Sequence, residues 1–138
     1  MGLEKDSRGS IAIVDDDDAM LSSLKRILSF YGFKVHDFSS GEKLLDVFTA
    51  NTNAFETILT DLNMPGIDGL ELTERIKGLD KDASVILLSG FPSSDNKEAA
   101  QKSGALDFLE KPCSNDQIVR TLDKGIALWR KAKTPAHS

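Results

Sequence analysis

The chain has 138 residues, and its 22 acidic and 17 basic residues give a net charge of −5. This length favours one domain, and 40% hydrophobic with 28% charged residues is ordinary for a soluble globular protein. No apolar run is long enough for a transmembrane helix, and the polar first ten residues do not predict a secretory signal peptide. One cysteine and two distant histidines argue against a disulfide or zinc site, and the negative charge argues against direct nucleic-acid binding. We therefore expect a cytoplasmic α/β or α+β domain.

Short apolar runs alternate with segments of helical character along the chain. The apolar runs predict strands at 11–14, 33–37, 55–60, 85–88 and 108–109. Helices are predicted after each strand, around 21–31, 44–48, 72–79, 95–103 and 118–129. Asp18 is predicted to cap the N-terminus of the first helix, and Ser114 with Gln117 is predicted to form a capping box on the last helix. Gly32 and Gly104 are predicted to end the first and fourth helices.

Five strand–helix pairs in succession predict right-handed βαβ units and a parallel sheet. The three apolar strands belong at the centre, whereas the alternating second strand and the short fifth strand belong at the edges. This arrangement predicts the strand order 2-1-3-4-5, a single doubly wound (βα)5 domain of the flavodoxin-like class. We expect a polar tail at 1–10, the folded domain at 11–131, and a second tail or linker at 132–138.

Polar residues follow the predicted strands at their carboxyl ends, where ligands bind in such sheets. Asp15 and Asp16 follow the first strand, and Asp61, Ser89 and Lys111 follow the third, fourth and fifth. Clustered carboxylates repel one another, and Mg²⁺ with oxygen ligands relieves that repulsion. A metal, an ammonium and a hydroxyl together suit a phosphoryl group, and a carboxylate is able to accept one as an aspartyl phosphate.

The chain resembles the receiver domains of two-component response regulators, including chemotaxis receivers, over about residues 11–131. The matching pieces are Val14-Asp15-Asp16, the run 61–69 (DLNMPGIDG), Ser89-Gly90 and the run 104–112 (GALDFLEKP). Each piece alone is a weak signal, but together, in order and each at a strand end, they are specific. A receiver is a signalling switch that catalyses its own phosphorylation and dephosphorylation and is not otherwise an enzyme.

The resemblance implies that Asp61 accepts a phosphoryl group from a histidine kinase or a histidine phosphotransfer protein. It implies that Asp16, Asp61 and the backbone carbonyl of Asn63 bind Mg²⁺ directly, and that Asp15 acts through a metal-bound water. Asn63 and Phe91 lie at positions near the phosphate that are able to tune the lifetime of the phosphorylated state.

The resemblance further implies that Ser89 and Lys111 contact the phosphoryl oxygens and that the Lys111–Pro112 peptide is cis. Phe108 takes the place of the aromatic switch residue, which moves inward as Ser89 is drawn toward the phosphate. The surface of helix four, strand five and helix five then binds a downstream output domain or protein. The resemblance also allows a dimer that forms on phosphorylation, and implies no contact of this domain with nucleic acid or membrane.

The helix predicted at 95–103 carries Ala99 and Ala100 as its only apolar side chains. So small an apolar face buries little area and places this helix at the low-stability end of the structure. We therefore predict that this helix, with the strand bearing Phe108, moves on phosphorylation.

Other interpretations compete with this one. The segment 11–17, an apolar strand followed by Asp-x-Asp, also fits a haloacid-dehalogenase-like phosphatase that uses Asp15, although only Asp116 and Asp123 follow Lys111 to supply its further acidic motif. A receiver that binds partners without phosphorylation is disfavoured by the intact acidic set. The strand-end charges, finally, are also compatible with a solvated rim without chemistry.

Several polar or reactive residues have simpler interpretations. Asp17 and Asp18 are expected as helix-terminal charges, because acids favour a helix N-terminus. Cys113 is expected as a structural thiol, His36 as an exposed residue of an edge strand, and Trp129 as a packing residue near the end of the last helix.

Overall fold

The computed structural model describes residues 8–90 and 93–134. Its elements in chain order are β1 (Gly9–Val14), α1 (Asp18–Phe30), β2 (Phe33–Phe38), α2 (Gly41–Ala50), β3 (Thr57–Asp61), α3 (Gly69–Leu79), β4 (Val85–Ser89), α4 (Ser94–Ser103), β5 (Asp107–Glu110) and α5 (Asn115–Lys133). The strands form one parallel sheet in the order β2-β1-β3-β4-β5, which confirms the predicted flavodoxin-like fold.

The sheet is covered on both faces, which explains why its central strands are rich in buried apolar residues. Every residue of β3 and β4 is buried, whereas the edge strands β2 and β5 are partly exposed, as their sequences predict. Alternate residues of β1 point to opposite faces. Ile11 and Ile13 pack with α1 and α5, and Ala12 and Val14 pack with α2 and α3.

Capping residues define ends of three of the helices. Asp17, rather than the predicted Asp18, caps α1: its Oδ1 accepts hydrogen bonds from the backbone N–H groups of Ala19 and Met20. Asp17 has extended backbone angles, while Asp18 already belongs to the helix, so only the former has cap geometry. Ser114 caps α5 by accepting from the Gln117 N–H, and Gly104 ends α4 in the left-handed conformation at φ 95°.

One edge-strand prediction needs correction. His36 is half-buried rather than exposed, because its ring packs against the Phe55 ring at a centroid distance of 5.3 Å. Burial, and then the charges of Lys34 and Lys25, lower the pKa of its imidazole.

The ends of the fold extend past the predicted bounds by two residues on each side, because β1 begins at Gly9 and α5 ends at Lys133. The division into domain and tails otherwise stays a prediction, since much of both tails lies outside the described residues. Phe91 also lies outside them. None of the described helices is long and apolar enough to cross a lipid bilayer.

Candidate functional site

The parallel sheet brings the polar strand ends to one edge. Asp61 ends β3 and Ser89 ends β4, while Asp15 and Asp16 follow β1. The backbone N–H of Lys111 donates to the Ser89 carbonyl at 2.7 Å, which fixes the start of the segment after β5 beside the end of β4. Because neighbouring strands run in the same direction, residues far apart in sequence meet at their carboxyl ends.

Three carboxylates form the centre of the site. Asp15, Asp16 and Asp61 each contribute an oxygen, and these oxygens lie within 4.8 Å of one another. Asp15 and Asp61 are buried, whereas Asp16 is exposed. Burial raises the pKa of Asp15, and the charges of Asp61 and Asp16 add to that rise. The Asp17 N–H, which donates to Asp15 Oδ1 at 2.9 Å, and the Lys111 charge oppose it.

Lys111 supplies the cation that faces these carboxylates. Its Nζ donates to Asp61 Oδ1 at 3.0 Å and lies 3.9 Å from Asp15 Oδ2. Burial alone would lower the pKa of this ammonium, but the Asp61 hydrogen bond and the charges of Asp61 and Asp15 outweigh burial and raise the pKa. Lys111 is therefore charged at neutral pH.

The donor set fits a divalent cation. Three carboxylates and one ammonium leave two negative charges when all are ionised, and the repulsion that helps raise the Asp15 pKa is what a hard cation with oxygen ligands relieves. No other group of three or more acidic, histidine or cysteine side chains with this spacing occurs within 8–90 and 93–134.

The loop after Asp61 turns sharply back over the strand end. The Leu62 N–H donates to the Leu88 carbonyl and the Gly69 N–H to the Leu62 carbonyl, both at 2.9 Å. A Cβ at Gly69 would lie 2.5 Å from the Asp61 carbonyl oxygen, so only glycine fits at this position. Asp68 caps α3 by accepting from the Glu71 N–H, a role beyond the simple turn-former that the sequence suggests. The sequence signal for this cap is the position of Asp68 directly ahead of the apolar helical pattern of α3.

The predicted switch residues lie on the neighbouring strands β4 and β5. Ser89 is fully buried at the end of β4. Phe108 is half-buried, packs with Leu62, Leu87 and Ala100, and lines a cavity of about 530 Å³ between α4, β5 and α5. The Lys111–Pro112 peptide is cis, as the resemblance implies.

Two further predictions concern the surroundings of the site. Cys113 is half-buried, and burial raises the pKa of its thiol, although the Lys111 charge opposes that rise, so the residue fits a structural role. Asp116 and Asp123 lie on α5, and Asp123 pairs with Arg8 at 3.2 Å. Neither joins the carboxylate cluster, so nothing in this geometry favours the phosphatase alternative.

Comparison with known proteins shows the family to which the sequence is similar. The sequence matches the response regulator receiver domain family over residues 11–123. It is 33% identical to the transcriptional regulatory protein FixJ of Bradyrhizobium diazoefficiens, over 96% of this chain and 62% of that protein. It is 34% identical to the DNA-binding transcriptional regulator NtrC of Klebsiella pneumoniae, over 95% of this chain and 28% of that protein.

A solved structure agrees with the sequence comparison. A response regulator receiver domain from Clostridium thermocellum superposes with a TM-score of 0.83 at 31% identity, covering 90% of this chain and 97% of the other. The chain thus spans nearly all of an isolated receiver but less than two thirds of either regulator. The family match, the strand order and the acidic cluster agree, and the chain belongs to the response regulator receiver domain family.

Proposed function

We propose that Asp61 is the phosphoacceptor of this receiver and that the donor is a phosphohistidine on a histidine kinase or phosphotransfer protein. The observation that carries the proposal is the Lys111 ammonium 3.0 Å from Asp61 Oδ1, beside two further carboxylates at the edge of the sheet. Among the three acids, Asp61 ends a central strand and is the one to which Lys111 donates.

Transfer requires that one Asp61 oxygen form a bond to phosphorus while the phosphorus–nitrogen bond of the donor breaks. The electron pair of that bond stays on the imidazole nitrogen, which takes a proton from solvent. The Lys111 ammonium is placed to bind a phosphoryl oxygen once Asp61 is modified, because it already contacts Asp61 Oδ1. The Ser89 hydroxyl is proposed to contact another phosphoryl oxygen. Hydrolysis by water then returns Asp61 and releases phosphate.

Mg²⁺ is the proposed cofactor, held by Asp16, Asp61 and the backbone carbonyl of Asn63, with Asp15 acting through a bound water. Bound there, the ion neutralises the charge that phosphoryl transfer places on the phosphoryl oxygens. The Asp17 N–H donates a hydrogen bond of 2.9 Å to Asp15 Oδ1 and so fixes the orientation of this carboxylate, and the sheet places Asp61 beside it.

The readout proposed for phosphorylation is the surface formed by α4, β5 and α5. Drawing Ser89 toward the phosphoryl group would open space for Phe108, which lines the cavity between these elements. The altered surface would bind an output domain, an output protein or a second copy of the chain. The names of FixJ and NtrC describe transcriptional regulators, so an output in transcription is a proposal by analogy.

The Asp61→Asn variant tests the assignment. It removes the nucleophilic charge at nearly constant volume, so we expect a folded protein that no longer gains a phosphoryl group from acetyl phosphate and Mg²⁺. Peptide mass spectrometry locates the modification in the wild type. Asp46→Asn, the same change at an exposed position of α2, is the control and should label normally. Modification of another residue in the wild type, or retained labelling of Asp61→Asn, would reject Asp61.

The Asp16→Ala variant tests the metal. Metal bound only by the folded state stabilises it, so millimolar Mg²⁺ should raise the melting temperature of the wild type. Asp16→Ala removes a proposed ligand and relieves repulsion together. We therefore expect higher stability without metal and loss of most of the Mg²⁺ effect, measured by calorimetry. A wild-type melting temperature that does not respond to Mg²⁺ would count against the site.

A further inference from the structure

A carboxylate in the first turn of α2 contacts the loop between β3 and α3. Glu42 Oε2 accepts a hydrogen bond from the backbone N–H of Ile67 at 3.4 Å. A Cβ built on Gly66 would lie 2.8 Å from the same oxygen, so the carboxylate rests directly against this glycine. Gly66 has a φ of 75°, a left-handed conformation that glycine adopts without strain.

The rest of this loop is held by different forces. Its ends are fixed by the backbone hydrogen bonds of Leu62 and Gly69, and Met64 and Ile67 are buried in the core beneath α2 and α3. A Cβ at Gly41 would lie 3.4 Å from Ile67 Cβ, so α2 starts close to the loop. Glu42 adds a polar contact to the middle of the loop, where the Pro65-Gly66 turn is exposed.

We propose that Glu42 is a positioning residue for phosphorylation: by accepting from the Ile67 N–H and packing on Gly66, it holds the loop in the conformation that presents the Asn63 carbonyl to the metal. The inference rests on the proposed function, because the carbonyl matters only if Asp61 and a cation work together. Glu42 does not belong to the carboxylate cluster and acts through the loop.

The physical basis is the freedom of the loop without this contact. Gly66 lacks the steric restriction of other residues, so without the Glu42 contact the exposed Pro65-Gly66 turn has more backbone conformations open to it, while its buried neighbours stay in place. A hydrogen bond from a backbone N–H to a carboxylate favours one of them. Losing a bond of this kind typically corresponds to a change of about 3- to 10-fold in an equilibrium constant, which sets the expected size of the effect.

Three variants distinguish loss of the hydrogen bond from loss of the Glu42 charge and from loss of a carboxylate elsewhere on α2. Glu42→Ala removes the acceptor, Glu42→Gln keeps an acceptor oxygen without the charge, and Asp46→Ala removes a carboxylate from an exposed position one turn further along α2. Two measurements are made on each variant by NMR: the hydrogen-exchange rate of the Ile67 amide without metal, and the Mg²⁺ affinity from titration of backbone amide signals.

Glu42→Ala should exchange faster at Ile67 and bind Mg²⁺ about 3- to 10-fold more weakly. Glu42→Gln and Asp46→Ala should stay close to the wild type in both measurements. The proposal is overturned if Glu42→Ala matches Asp46→Ala in exchange, if its exchange rises while its Mg²⁺ affinity is unchanged, or if Glu42→Gln is as damaging as Glu42→Ala. Failure of wild-type phosphorylation at Asp61 would instead overturn the proposed function, and the exchange measurement does not depend on it.

Discussion

Helices α4 and α5 are joined through the same short strand, β5, yet they hold to the sheet by different means. α5 buries four large aliphatic side chains, which are Ile118, Val119, Leu122 and Ile126. The buried residues of α4 are Ala100 and Ser103. Because hydrophobic stabilisation grows with the apolar area removed from water, α5 gains far more from packing than α4 does.

The ion pairs of the two helices also differ. Lys133 on α5 donates to Asp80 at 2.8 Å, and Arg130 pairs with Glu56 at the opposite end of the sheet from the carboxylate cluster. Between α4 and β5, Lys97 pairs with Glu110 at 2.5 Å, and both side chains are about half exposed. An exposed pair of this kind contributes little and is screened by salt.

Close approach of the backbone adds a third difference. A Cβ at Gly125 would lie 2.6 Å from Thr57 Oγ1, so α5 sits tightly on the start of β3. In contrast, α4, whose sequence is SDNKEAAQKS, has no glycine at which its backbone approaches the sheet in this way. The comparison indicates that α4 is held less firmly to the sheet than α5, and we therefore propose α4 as the helix that rearranges on phosphorylation.

The largest expected effect is on the free energy of unfolding, and it compares a buried side chain of α5 with one of α4. Leu122→Ala removes a fully buried side chain and should lower the free energy of unfolding by about 2–5 kcal/mol. Ala100→Gly, the buried site of α4, should cost about 1–2 kcal/mol from helix propensity and one methyl group. Urea denaturation measures both.

Ala127→Gly, at an exposed position of α5, gives the propensity contribution alone, about 1 kcal/mol. If Ala100→Gly were as costly as Leu122→Ala, α4 would be as firmly packed as α5, and the proposed difference between them would not hold.

A smaller effect tests the polar anchoring of α5. Burial alone would raise the pKa of Asp80, but hydrogen bonds from Lys133 and from the Asp82 N–H, with the charges of Lys133 and Lys77, lower it. Because the pKa of Asp80 is lower in the folded state than in the unfolded state, its ionised carboxylate stabilises the fold above about pH 4. This stabilisation is lost as the pH falls through the pKa of the folded state.

Lys133→Ala should therefore lower the free energy of unfolding by up to about 1 kcal/mol at pH 7, and its difference from the wild type should shrink in acid. Lys133 also lies 5.8 Å from the Trp129 ring centroid, and loss of that contact has no such pH dependence. Lys131→Ala, at an exposed neighbouring position, is the control. A difference that persists unchanged at low pH would show that the Asp80 pair does not anchor α5.

The sheet order and the positions of Asp15, Asp61 and Lys111 were predictable, because apolar runs define buried strands and parallel strands place their carboxyl ends together. The weak packing of α4 was also predictable, since it follows from side-chain size alone. Contacts that depend on backbone angles, or on side chains from separate helices and strands, were not predictable from the sequence. The choice of Asp17 over Asp18 as a cap depends on the extended backbone angles of the former.

The missed contacts of Glu42 and His36 have a common cause. Glu42 reaches a loop 25 residues away, and His36 packs on Phe55 across the edge of the sheet. In sequence, an acid in the first turn of a helix reads as a favourable helix-terminal charge, and a histidine in an alternating strand reads as exposed. Distant partners of this kind become visible only when the helices are placed on the sheet.

Amide hydrogen exchange with and without beryllofluoride, a mimic of the phosphoryl group, tests the central claim most directly. The account predicts that, with Mg²⁺ present, protection changes both at the site, at 15–18 and 61–69, and across α4 and β5, at 93–110. The part of α5 that contains Leu122 and Ile126 should change least. A response confined to 15–18 and 61–69, with α4 and β5 silent, would contradict the proposed switch even if Asp61 is the residue that carries the phosphoryl group.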